Sequence, residues 1–183
     1  MPNNIINHVR VIGSDVVEKM QKYFKPSIAG LIFDFNLIIP IPKNVTNYND
    51  GTSPLTVHHY CCDYWGTKWN AYQLCFKDYN NFNFQTAWNT PKPIFKKLSQ
   101  MEPGLTFIIK YADEDLGDNC GSYVYLNGDL IEEHNFPMYS LSSREFAIDL
   151  WDTLSDIELE SSSDSDSDSD SDLNEESPIQ YQL

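Results

Sequence analysis

Apolar and polar residues alternate from Ile5 to Ile12, with Ile6, Val9 and Val11 among polar neighbours, and the run stops at Gly13-Ser14-Asp15. That pattern predicts a strand followed by a helix start. The period then changes. Val16, Val17, Met20, Tyr23 and Phe24 recur at helical spacing, which predicts a helix that Pro26 stops. Leu31, Phe33, Phe35, Leu37, Ile39 and Ile41 alternate again. Residues 30–44 are therefore expected to be extended, with Pro40 and Pro42 barring a central ladder position beyond Ile39. Residues 44–54 are polar and Asn-rich and are expected to form a surface loop, and Pro54 to Tyr64 a short helix.

Tyr72, Leu74 and Phe76 alternate with polar residues, as do Phe82, Phe84, Thr86 and Trp88, across the turn residues Asp78-Tyr79-Asn80-Asn81. The two runs predict an antiparallel hairpin. Thr90-Pro91 opens a helix with Ile94, Phe95 and Leu98 on its apolar face, and Gly104 ends it. Leu105 to Tyr111, Cys120 to Leu126 and Leu130 to Phe136 read as strands, the last two joined by the hairpin signal Asn127-Gly128. The order contains a βαββαβ nucleus. The expected fold is α+β and ferredoxin-like over residues 1–140: an antiparallel sheet with two helices on one face and an extra C-terminal hairpin.

Beyond it, Ser142-Ser143 is expected to cap an amphipathic helix within 141–159. Phe146, Ala147, Leu150, Leu154 and Ile157 form its stripe, with Trp151 beside them and Asp149, Asp152 and Asp156 off it. Docking on its own domain is the default reading, and capture of a partner groove the alternative. Residues 160–183 are expected to be a disordered, acidic Ser/Asp-rich tail. Ser163, Ser165, Ser167 and Ser169 each have an acid three residues on, which makes them candidate phosphorylation sites.

Charge sharpens this division. The 183-residue chain carries a net charge of −15. Ten of its acids lie in residues 155–183 with no Lys or Arg, whereas residues 1–154 hold seventeen acids against all twelve bases. The body is thus only mildly acidic, which excludes a generally basic nucleic-acid binder. Charged residues interrupt every long apolar run, so no membrane span is expected. The N-terminus shows no secretory pattern, and Cys61, Cys62, Cys75 and Cys120 read as reduced thiols. The expected location is intracellular, in host cytoplasm or virion.

Candidate chemistry is sparse. Trp65, Lys68 and Trp69, with Trp88, form either an aromatic core plug or a binding platform able to stack on a ligand. If helical, Trp65 and Trp69 share a face; if the segment turns, Gly66 supplies a positive φ. His58, His59, Cys61 and Cys62 hold metal-ligand types without zinc-site spacing. Asp113, Glu114, Asp115 and Asp118 form an acidic loop without calcium-loop spacing. Lys92, Lys96 and Lys97 read as a solvated helix face. No catalytic residue, metal or cofactor is expected.

Four segments carry a resemblance. They are Met1-Pro2-Asn3 with Asn7; Phe33-Asp34-Phe35-Asn36 with Ile38-Ile39-Pro40-Ile41-Pro42; Trp65-Gly66-Thr67-Lys68-Trp69; and Phe84-Gln85-Thr86-Ala87-Trp88 with Pro91 and Pro93. Leu105-Thr106-Phe107 leading to Tyr111 adds a weaker fifth. Together they resemble the YubB ferredoxin-like domain proteins of phages, plasmids and some large DNA viruses, across about residues 1–125. Asn4-Ile5 departs from the Trp-Cys-like pair of that pattern. The resemblance implies a ferredoxin-like fold and a viral or mobile-element origin, and supplies no activity. The expected function is a non-enzymatic accessory protein that binds a protein partner, basic in character, with its acidic tail. The alternative is a nucleic-acid role, through sheet aromatics or by DNA mimicry.

Overall fold

The computed structural model describes residues 3–28, 30–45 and 56–162, with side chains as far as Asp152. Residues 163–183 of the Ser/Asp-rich tail, with its four candidate serines, and most of the polar loop at 44–54 lie outside the described residues, whereas residues 160–162, expected in the tail, are helical.

Strand β1 (Asn4–Ile12) is central. It pairs antiparallel with β5 (Asn81–Ala87) on one side and β6 (Thr106–Asp113) on the other. Outside β5 lies β4 (Tyr72–Asp78); outside β6 lie β7 (Gly121–Leu126) and then β8 (Asp129–Asn135). The order β4-β5-β1-β6 is that of a ferredoxin-like βαββαβ sheet, and the β7–β8 hairpin extends it by two strands. Asn127 and Gly128, both at positive φ, make the tight turn of that hairpin. The Gly128 amide donates to Ser99 Oγ at 3.0 Å and the Gly104 amide to Asn127 Oδ1 at 2.9 Å, which ties the turn to the helix below it.

Three helices cover one face: α1 (Val16–Met20), α2 (Val57–Trp65) and α3 (Lys92–Met101). Alternation delivers Ile5, Val9 and Val11 of β1, Phe82 and Phe84 of β5, and Phe107, Ile109 and Tyr111 of β6 into one core with Val16, Met20, Trp65, Ile94, Phe95 and Leu98. The core is built from rings. Phe33 packs against Phe24, Phe35, Phe82 and Phe84 with centroids 5.2–5.6 Å apart, mostly tilted or edge-on, as ring quadrupoles prefer.

Two local expectations give way to side-chain hydrogen bonding. The helix expected up to Pro26 ends at Met20, and the chain passes through a 3-10 turn (Gln21–Tyr23) into the short hairpin β2 (Phe24–Ser27) and β3 (Gly30–Phe33). Pro26 sits in that edge hairpin. The buried carboxylate of Glu102 draws this corner in: Tyr23 donates its hydroxyl to it, and Lys22 lies 2.6 Å away. Burial, then Glu102, pushes the Tyr23 phenol well above its ordinary pKa. Glu102→Ala is expected to cost about 1–3 kcal/mol in urea unfolding, because it strands the buried hydroxyl. The long crossover from β1 to β4 is completed by α2, which packs beside α3 as the second helix of the nucleus.

The extended run expected over 30–44 stops at Phe33. Asp34 Oδ1 accepts the Asn36 amide at 3.0 Å, and Asn36 Oδ1 accepts the Ile41 amide at 2.8 Å. These bonds compete with a sheet ladder and curl Phe35–Leu37 into a 3-10 turn.

Helix α4 (Leu141–Ser162) docks on the opposite face of the sheet. Its cap is Ser140, whose Oγ accepts the Ser143 amide at 3.1 Å, rather than the expected Ser142-Ser143. Ala147 and Leu150 pack on Ile6, Ala112 and Cys120, Phe146 stacks near Phe136, and Trp151 Nε1 donates to the Asp113 carbonyl at 3.0 Å. The default reading of this helix therefore holds for its first half. Leu154 and Ile157 lie beyond the described side chains.

Candidate functional site: an indole pair around Lys68

The Trp65-Gly66-Thr67-Lys68-Trp69-Asn70 segment is a tight connection between α2 and β4, and each residue has a distinct role. Thr56 begins α2 by accepting the His59 amide at 3.3 Å, and Gly66 ends it at φ 76°. The left-handed turn means that Trp65 and Trp69 do not share a helical face. Trp65 is 3% exposed. Its ring meets Phe35 edge-on at 5.7 Å and its Nε1 donates to the Ile39 carbonyl at 2.9 Å. Trp65 is thus core, which removes it from the candidate binding set: no ligand can reach its ring.

Thr67, also buried, donates to the Ala87 carbonyl at 2.8 Å and accepts the Ala87 amide at 3.2 Å, so it continues β5's pairing where the strand ends. Asn70 accepts the Phe35 amide at 2.9 Å and donates to Asp34 Oδ1 at 2.8 Å. Three of the four segments that carried the sequence resemblance therefore converge here. They form a hydrogen-bonded frame around Trp65.

The remaining candidates stand on the surface of that frame. Trp69 and Trp88 are 40% and 42% exposed. Lys68 Nζ lies 5.0 Å from the Trp69 ring and 4.5 Å from the Trp88 ring, a cation bridging two indoles. His58 meets Trp88 edge-on at 5.8 Å. Trp88 adopts φ 72°, a conformation that costs a bulky L-residue about 1–2 kcal/mol. It is held there by its own amide donating to the Asn3 carbonyl at 2.9 Å and by Asn119 Nδ2 donating to its carbonyl at 3.1 Å. Strain that displays an apolar ring to solvent is a feature of sites rather than of cores. Nothing in the residue pattern marks this backbone, because alternation alone continues β5 through Trp88.

The other clusters resolve differently. On α2, His58 Nε2 and Cys62 Sγ are 3.9 Å apart. Burial and Asp63 hold the Cys62 thiol above its ordinary pKa, and burial pushes Cys61 up to about 11, the reverse of an activated thiolate. Glu114 accepts from the Asn4 amide and side chain at 3.0 and 2.7 Å, and Asp115 accepts the Tyr139 hydroxyl at 2.9 Å. Among the described residues no three His, Cys, Asp or Glu side chains gather as metal ligands. Lys92 pairs with Glu133, whose carboxyl is held below its usual range by that hydrogen bond. No described helix is long and apolar enough to cross a membrane.

One feature escaped sequence reading. On the face that carries α4, His8 and Arg10 of β1, Lys77 and Cys75 of β4, Asn81 and Asn83 of β5, and Ile108 and Lys110 of β6 line a groove of about 430 Å³. The register sets His8 directly across from Asn83 and Lys110. Burial first, then Lys110, lowers the His8 pKa to about 4, against the opposing pull of Asp149 and of the Leu150 backbone carbonyl on α4. The unfolded chain takes up this proton near 6.5 and the folded one only near 4, so His8 favours folding fully above pH 6.5 and progressively less as pH falls towards 4. His8→Gln is expected to remove about 3 kcal/mol of the stability loss across that window, read by urea unfolding at each pH.

Residues 64–154 match the family described as the ferredoxin-like domain in Api92-like protein. The crystal structure of a protein api92 from Yersinia pseudotuberculosis is similar at 19% identity and a TM-score of 0.48, over 59% of this chain and 41% of that one. This chain thus spans less than half the length of that neighbour. No curated protein matches the chain. From the end of α2 to α4, the protein is similar to the ferredoxin-like domain of Api92-like proteins.

Proposed function

We propose that the protein is a non-enzymatic accessory protein of a virus or mobile element, akin to the YubB-like proteins, and that it binds a basic protein partner. The observation that carries this reading is the exposed indole pair bridged by Lys68. Rigid aromatic rings give large contact area at low entropic cost and dominate interface energetics. Their outer faces suit arginine guanidinium groups, which stack on indoles. The acidic residues of 155–183 supply long-range attraction for the same kind of partner.

The test is titration of the full chain with an arginine-rich peptide. Trp88→Ala is expected to weaken binding by about 1–3 kcal/mol with little change in melting temperature. Unchanged affinity would falsify the assignment of this surface.

A nucleic-acid role is favoured by a different observation, the cationic groove at Arg10, Lys77 and Lys110. Of the sheet aromatics, Phe107, Tyr111, Tyr123 and Tyr125 join the helix-covered core, whereas Phe76 of β4 is exposed. Phosphate contact there requires an RNA affinity that falls steeply with salt.

A further inference from the structure

The groove on the α4 side of the sheet carries three cations. They are Arg10, Lys77 and Lys110. All three are exposed, on three different strands, around one concavity. The sequence that follows α4 has the opposite character: Asp164, Asp166, Asp168, Asp170 and Asp172 alternate with serine, without a base anywhere from 155 to 183.

We propose that this groove is the seat of the chain's own Ser/Asp-rich segment, residues 163–172. Three observations carry the assignment. The charges are complementary. Helix α4 crosses β6 and β1 and reaches β4, so the chain leaves the fold on the groove's own side. Asp149 of α4 already acts electrostatically on His8 in the groove wall. Length is not limiting, because ten residues extend about 35 Å. Tethering to the helix end also places the segment at an effective concentration of order millimolar. The inference does not draw on the indole pair, so Trp69→Ala with Trp88→Ala leaves it unaffected.

The experiment compares the full chain with a full-length variant in which Asp164, Asp166, Asp168, Asp170 and Asp172 are all replaced by Asn. Backbone amide signals of Arg10, Lys77, Asn83 and Lys110 are expected to differ between the two at low salt. They should converge at about 1 M salt, where the screening length falls to about 3 Å. Lys77→Gln with Lys110→Gln in the wild-type chain should shift the Arg10 and Asn83 signals towards those of the neutralised tail. A single-stranded oligothymidylate probe should bind the neutralised chain about tenfold more tightly than the wild type, and lose that gain when Lys77 and Lys110 are also replaced. Identical groove signals at low salt overturn the proposal. So does equal oligothymidylate affinity for the two chains, which would make the groove a nucleic-acid surface without a resident segment.

Discussion

Trp65→Ala is expected to lower stability by about 3–5 kcal/mol, enough to unfold a domain of ordinary stability at 37 °C. The ring is 3% exposed and seated against Phe35. Its loss leaves a cavity that the frame of Thr67, Asn70 and Asp34 is too constrained to collapse. It also strands the Ile39 carbonyl, which now accepts from Nε1. Circular dichroism melts of Trp65→Ala and Trp69→Ala should separate widely. The second loses a half-exposed ring and is expected to stay within about 1 kcal/mol of wild type. A small cost for Trp65→Ala would mean that the knot at the end of α2 is not structural.

Gly66→Ala is expected to cost about 2–5 kcal/mol for two reasons. The residue sits at φ 76°, where a Cβ is penalised by about 1–2 kcal/mol. A Cβ there would also lie 2.9 Å from Cδ of Pro93, whose ring cannot swing aside, and overpacking of this kind costs about 1–3 kcal/mol. Pro93 belongs to α3, so the strain passes to the helix that carries Ile94 and Phe95 into the core. Chemical denaturation reads the loss. Gly66→Asn, which tolerates left-handed φ but keeps the clash, should fall between the two.

What was legible in the residues was the ladder. Rough alternation in β1, alternation in β5, the apolar, β-branched run of β6, and the Asn127-Gly128 turn are local signals that the sheet obeys. The ferredoxin-like order follows from their spacing and the helices between them. What was not legible depends on side-chain hydrogen bonds, near and far in the chain, that periodicity does not register. Asn36 and Asp34 curl a run whose alternation reads as strand, because their side chains satisfy backbone amides that a ladder would otherwise use. Tyr23 leaves its helix for Glu102, 79 positions away.

The site divides along the same line. The Trp-Gly-Thr-Lys-Trp spacing singled out this segment and left core and surface readings both open. Only the Gly66 turn separates them, sending Trp65 inward and leaving Trp69 beside Lys68. Trp88 joins that surface through a backbone inversion that no periodicity encodes. The cationic groove went unseen for a simpler reason. Its members are single residues on three strands, and the one basic cluster visible in sequence, on α3, spends Lys92 on Glu133.

The central claim is that Trp69 and Trp88, not Trp65, meet the partner. The chain has four tryptophans, so its indole N–H resonances can be followed one by one in the intact, labelled protein. On titration with an arginine-rich peptide, the Trp69 and Trp88 signals should move together and saturably while those of Trp65 and Trp151 stay in place. Movement of Trp65, or an unmoved Trp69 and Trp88 at saturating peptide, would contradict it.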